Sequence, residues 1–118
     1  IKFSENSLEL VSVYLKYQAE ILSGYILPIG QESSGTSWTG FQSITGDGKG
    51  FFLIIREYNK GDNYNFKLWR IRNKKLRLHK LLGKGNNQVV NVDEEGQVNF
   101  CLDGKFQYSL YAYEQIED

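Results

Sequence analysis

The 118-residue sequence predicts an all-β fold: an antiparallel β-sandwich of about seven or eight strands, preceded by one N-terminal α-helix. Three observations carry this. From residue 40 onward, clusters of Gly, Asn, Asp and Lys break the chain at the short intervals typical of sandwiches and barrels. Between the clusters, apolar residues alternate with polar ones, as on a strand with one face buried. Ahead of them lies a single stretch, residues 8–22, with no Gly or Pro and with apolar residues at helical spacing. The length fits one domain, and 41% apolar and 24% charged residues is an ordinary globular mix.

The helix comes first. Asn6 and Glu9 are spaced as an N-cap and its return partner, and Gly24 stands where a left-handed C-terminal cap is wanted. Leu8, Val11, Leu15 and Leu22 form one apolar stripe; Leu10, Tyr14, Tyr17 and Ile21 form a second beside it. A helix lying on one sheet needs a stripe of about 100°. The surplus implies two partners, and predicts that the Tyr14/Tyr17 side is left exposed or buried by self-association.

Tyr25 to Ile29 reads as extended. Leu27 precedes proline, which disfavours helical backbone, and Pro28 lacks a ladder donor, so a strand here is short or at a sheet edge. A polar loop, Ser33-Ser-Gly-Thr-Ser37, follows. Strands are then expected near 40–45, 50–58, 63–72, 75–82, 87–92, 97–103 and 105–114. Phe51 to Ile55 is apolar on both faces and should be central, with the helix or a second sheet outside it. Val98, Phe100 and Leu102 share one face, Phe106, Tyr108 and Leu110 another, and Phe66 and Leu68 oppose Lys67 and Trp69.

The turns carry their own chemistry. Gly46-Asp-Gly-Lys-Gly50 and Asn59-Lys-Gly-Asp-Asn63 are rich in residues that tolerate positive φ. Arg72-Asn73-Lys74 suits a tight hairpin, Asp93-Glu-Glu-Gly96 a four-residue one, and Asp103-Gly104 is the strongest two-residue hairpin signal. Gly83-Lys-Gly-Asn-Asn87 is long enough for a change of sheet.

Charge narrows the function. Fourteen Lys and Arg balance fourteen Asp and Glu, which argues against nucleic acid as a partner. No apolar run approaches the roughly 20 residues of a membrane helix. One cysteine, Cys101, excludes an intrachain disulfide. A lone His79 on the polar phase of a strand, without a second His or Cys, makes neither a metal site nor a triad. No cofactor signature appears; Gly83-Lys84-Gly85 lacks the following helix that a phosphate cradle needs. Most acids sit in turns. Glu32 near Trp38 and Glu57 beside Arg56 have more interesting neighbours, and a salt bridge or a loop hydrogen bond explains each better than catalysis. No catalytic residue is therefore assigned. Exposed aromatics can stack on sugar rings, and the carbohydrate-binding candidates are Trp38, Trp69 and Tyr58; the competing reading is that they fill the sheet core.

Pro28-Ile29-Gly30, Ser37-Trp-Thr-Gly-Phe-Gln42 and Gly50-Phe-Phe-Leu-Ile-Ile-Arg-Glu57 resemble the joint between barrel and β-domain in α-galactosidase-like glycoside hydrolases. Leu82-Gly83, Gly96-Gln-Val-Asn-Phe100 and Tyr108-Ser-Leu-Tyr111 resemble the closing strands of the same C-terminal domain. The resemblance implies a parent enzyme with a catalytic (β/α)8 barrel, secreted or periplasmic. This chain would be its non-catalytic tail, because the family's catalytic aspartates lie on barrel strands. Ile1 is not methionine, which suits a piece of a longer protein. The expected division is residues 1–24, a helix belonging to or packing on an absent barrel, and 25–118, the β-sandwich. The expected role is structural support of that barrel. The alternative is a carbohydrate-binding module using surface aromatics.

Overall fold

The computed structural model describes residues 5–116; within the helix, side chains are described at residue 12 and from residue 15 onward. The helix α1 (Glu5–Ser23) leads into β1 (Tyr25–Gly30), β2 (Trp38–Gly46), β3 (Lys49–Arg56), β4 (Asn63–Lys67), β5 (Lys74–Gly83), β6 (Gln88–Val92), β7 (Gln97–Cys101) and β8 (Gln107–Ile116). Six strands form one antiparallel sheet in the order β1-β2-β3-β8-β5-β6, and β4 and β7 pair as a two-stranded ribbon against it. The fold is the expected all-β sandwich with one N-terminal helix.

β3 lies inside the large sheet, which explains why both of its faces are apolar. Phe52 and Ile54 point at the ribbon and are buried with its Phe66 and Phe100. Phe52 meets Phe100 edge-on at 5.4 Å between centroids and stacks on Tyr113 at 5.2 Å. Such ring pairs add to the area they bury. Phe51 points the other way, under the helix, where Tyr17 packs on it at 5.9 Å. Ile21, Phe51, Leu82 and Leu110 are buried there, apart from the main cluster.

The helix meets the sheet through the Tyr17 and Ile21 side. Ser43 Oγ donates to the Ile21 carbonyl at 2.5 Å. Leu15 and Leu22, of the other stripe, are 61% and 53% exposed. The expected exposure of the Tyr17 side is thus corrected: aromatic Phe51 offers the better partner for Tyr17, and the leucine stripe is left outside. Tyr14 and the Asn6–Glu9 pair fall outside the described side chains. Gly24 does not adopt the left-handed conformation expected of a cap. Its glycine is required by close approach, since a Cβ there would overlap the Ile44 carbonyl.

Several turns behave differently from expectation. The tight two-residue hairpin is Asp47-Gly48, between paired β2 and β3, with Gly48 at φ 68°. Asp103-Gly104 joins β7 to β8 in the other sheet and is no hairpin. Asn73 likewise lies on a crossing from β4 to β5, and its positive φ of 52° turns the chain between sheets. The expected strand 63–72 stops at Lys67, and the chain bends at Arg70, whose φ is 62°. Asp93 closes its turn by accepting from the Glu95 and Gln97 amides at 2.9 and 2.8 Å, yet the flanking strands enter different sheets. Residues 84–87 instead stay within one sheet: they lie in a wide connection, residues 79–87, that separates the last β5–β6 pair, Leu78 and Gln88. Phe106, expected on a strand, is left-handed (φ 58°) and 70% exposed, and β8 begins after it.

Pro28 does sit on an edge strand. Alternation along the paired strands turns Leu27 and Ile29 toward β2 and leaves Ile26, Pro28 and Gly30 facing outward. Pro28 has no N–H to offer there, and its carbonyl accepts the Trp69 indole N–H at 2.8 Å.

Candidate functional site

The three aromatic candidates are placed in three different environments. Trp38 is 4% exposed. Its ring stacks on Tyr64 at 6.0 Å, meets Phe66 edge-on at 6.1 Å, and carries the Arg56 guanidinium 5.7 Å away. It is a wedge at the loop-to-strand joint, and no ring face is open to a sugar. Arg56 is itself 2% exposed and engaged throughout: it donates to the Asn59 side chain and carbonyl, to Asp62 Oδ1 at 3.0 Å and to the Leu102 carbonyl at 2.6 Å. A buried charge persists only when so paired.

Tyr58 is exposed at the end of β3, tilted against Phe106 at 5.7 Å, with Lys105 Nζ 4.2 Å above its ring. One face of Tyr58 is therefore already covered by a cation.

Trp69 is the open one. It lines a cleft of about 330 Å³ together with Ser23, Tyr25, Thr45, Asp47 and Arg70. Tyr25 is 67% exposed and Trp69 47%. The Arg70 guanidinium lies 5.4 Å from the Tyr25 ring centroid, within cation–π range. Arg70 adopts positive φ, a conformation that costs a non-glycine residue about 1–2 kcal/mol. Such outliers cluster at binding sites.

The platform is rigid. Buried Gln42 accepts the Trp69 backbone N–H at 2.7 Å and donates to the Trp69 carbonyl at 3.1 Å and to Tyr113 Oη at 3.0 Å. Burial pushes the Tyr113 phenol pKa up, with the Gln42 bond opposing it, so the phenol stays neutral. The Gln42 bonds fix the Trp69 backbone, and the indole N–H, donated to the Pro28 carbonyl, fixes the ring. A group immobilised before binding loses little entropy when a ligand arrives.

The acids are engaged elsewhere. Glu57 accepts from Ser33 Oγ and from the Ser34, Gly35 and Ser37 amides at 3.0–3.1 Å. The Ser34 amide bond leads in holding its carboxyl below the ordinary range, as expected for a carboxylate ringed by donors. That is the opposite of a general acid, which needs a raised value. Glu57 locks the loop of residues 31–37, the hydrogen-bonding role expected for it, and Glu32 is exposed on that loop. His79 is exposed on the outer face of β5, in a charged cleft of about 400 Å³ with Glu20, Lys49 and the Arg77–Glu114 pair. Among the described residues no cluster of His, Cys, Asp and Glu is arranged to hold a metal.

Sequence reasoning singled out Trp69 and missed Tyr25 and Arg70. Tyr25 reads as the first residue of a strand, and only the unforeseen bend at Arg70 brings it beside Trp69. Comparison with protein-family models, with curated proteins and with solved structures returned no match for this chain.

Proposed function

We propose that the chain is a non-catalytic β-sandwich module that binds a saccharide in the Tyr25–Trp69–Arg70 cleft. The observation that carries this is the exposed Trp69, whose backbone is held by Gln42 and whose indole N–H is held by the Pro28 carbonyl. A pyranose presents an apolar C–H face to such a ring, and its hydroxyls meet the polar groups of Asp47, Thr45 and Arg70 around it. Isothermal titration with galactosides and longer glycans tests it. Trp69→Ala should abolish binding while the far-UV spectrum stays unchanged, and Trp69→Phe should keep most of it. Binding unaltered in Trp69→Ala, or absent across the glycan panel, overturns the reading.

A second reading, structural support of a glycosidase barrel, is favoured by the exposed Leu15 and Leu22 on the helix. It rests otherwise on the motifs within residues 28–57 and 82–111. The two readings are compatible, because the leucine stripe and the cleft involve different residues. Both require the isolated chain to be inactive. Hydrolysis of a chromogenic α-galactoside by the pure chain, lost in Glu57→Gln, would refute both.

A further inference from the structure

We propose that strand β6 pairs with β6 of a second copy of this chain, antiparallel about a two-fold axis at Val90, so that two six-stranded sheets become one. The direction of the backbone groups carries the argument. Gln115 N donates to Gly48 O, so the odd-numbered residues of β8 face β3 and the even-numbered ones face β5. Glu114 and Ala112 then bond Arg77 and His79, which leaves Leu76 and Leu78 of β5 to bond Val90 and Gln88 of β6. Val89 and Asn91 are left with N–H and C=O pointing away from the sheet. Asp93 N, two residues on, points the same way and bonds Gln97 O at 3.1 Å. Among the described residues, no backbone hydrogen bond reaches Val89 or Asn91 from that side.

The strand fits its own copy. In the antiparallel register centred on Val90, Val89 of each copy faces Asn91 of the other, and both pairs are of the hydrogen-bonded kind. Four N–H···O=C bonds form, and the two half-buried Val90 side chains meet on the core face as a close, non-hydrogen-bonded pair. Gln88-Val-Val-Asn-Val92 contains no charge and no proline, the devices with which edge strands usually avoid pairing. Val89 is 54% exposed on the outer face. The cations on that face, Lys75 and Arg77, lie one strand back, so Lys75 of one copy and Arg77 of the other are three strand spacings, roughly 14 Å, apart, beyond the Debye length. Arg77 is also neutralised by Glu114 at 2.9 Å. The opposite margin is closed at Pro28, so pairing through β6 ends at a dimer and does not propagate. A five-residue contact is small, and the dimer is weak and reversible.

Sedimentation velocity across a concentration series, with amide exchange at low and high concentration, tests the proposal. The wild type should show a concentration-dependent monomer–dimer equilibrium and concentration-dependent protection of the Val89 and Asn91 amides. The double variant V89K/N91K places like charges opposite each other twice and should weaken the dimer by at least about tenfold. V89K/N91E places opposite charges in the same positions and should restore it. L15Q/L22Q, on the helix, should leave it unchanged. All four positions are exposed, so the fold is unaffected, which far-UV spectra and thermal midpoints verify. A wild type that stays monomeric at about millimolar concentration overturns the proposal. So does a dimer insensitive to V89K/N91K, or one lost in L15Q/L22Q instead.

Discussion

β1 and β6 are the two margins of one sheet, and they are finished differently. At β1 the outward position in mid-strand is Pro28, which has no donor, and its carbonyl is covered by the Trp69 indole. At β6 the equivalent positions are Val89 and Asn91, each with a donor and an acceptor free to pair. The difference teaches that an edge can be closed without charge: one residue type removes the donor, and a side chain from a distant loop covers the acceptor. It also ties the closed margin to the candidate site, because the same indole seals the edge and forms the ligand platform.

The largest way to break the comparison is through Gln42. Gln42→Ala leaves the Trp69 N–H and C=O and the Tyr113 hydroxyl without their partner, and should cost about 2–3 kcal/mol in urea unfolding. It should also weaken glycan binding, because the Trp69 backbone is no longer anchored. Trp69→Phe keeps an aromatic ring and removes one hydrogen bond, so about 1 kcal/mol is expected, with the Pro28 carbonyl uncovered. Pro28→Ala should change stability by only about 0.5 kcal/mol. Combined with Trp69→Phe it opens the second margin, and sedimentation should then show species larger than a dimer. The smallest effect belongs to Glu57, which holds the loop between β1 and β2. Its folded-state pKa lies below the ordinary 4.5, so its contribution is complete above that value and is lost as pH falls through the folded one. Glu57→Gln should flatten the acid limb of the stability–pH profile and leave the neutral region nearly unchanged. An acid limb identical to wild type would show that the loop does not depend on the charge.

The elements were legible and their partners were not. Helix spacing marked α1, and alternation marked the strands, because both are local properties of the chain. Allotment to a sheet is not local. Asp47-Gly48 and Asp103-Gly104 are the same dipeptide, yet the first joins paired strands and the second carries the chain from the ribbon to the main sheet. What separates them is Phe106, turned aside at positive φ, and buried Leu102, neither of which a turn propensity registers. Trp38 shows the same limit. Its place after a polar loop fits a wedge or a sugar platform, and Tyr64 and Arg56, 26 and 18 residues further along, decide for the wedge. The exposure of Trp69, opposite in phase to buried Leu68, was legible, although the strand expected there ends at Lys67. Its companions were not, because their meeting depends on a backbone bend at Arg70 that the sequence does not announce.

The position of β8 has a consequence for the order of assembly during synthesis. Strands β1, β2 and β3 can pair as they emerge, and so can β5 and β6, but within the sheet these halves are hydrogen-bonded only through β8. Until residues 107–116 have left the ribosome, β3 and β5 each expose one unpaired edge, and Phe52 lacks the Tyr111 and Tyr113 rings that enclose it. A nascent chain is therefore held open until β8 arrives, and closure of this sheet is a long-range and slow event.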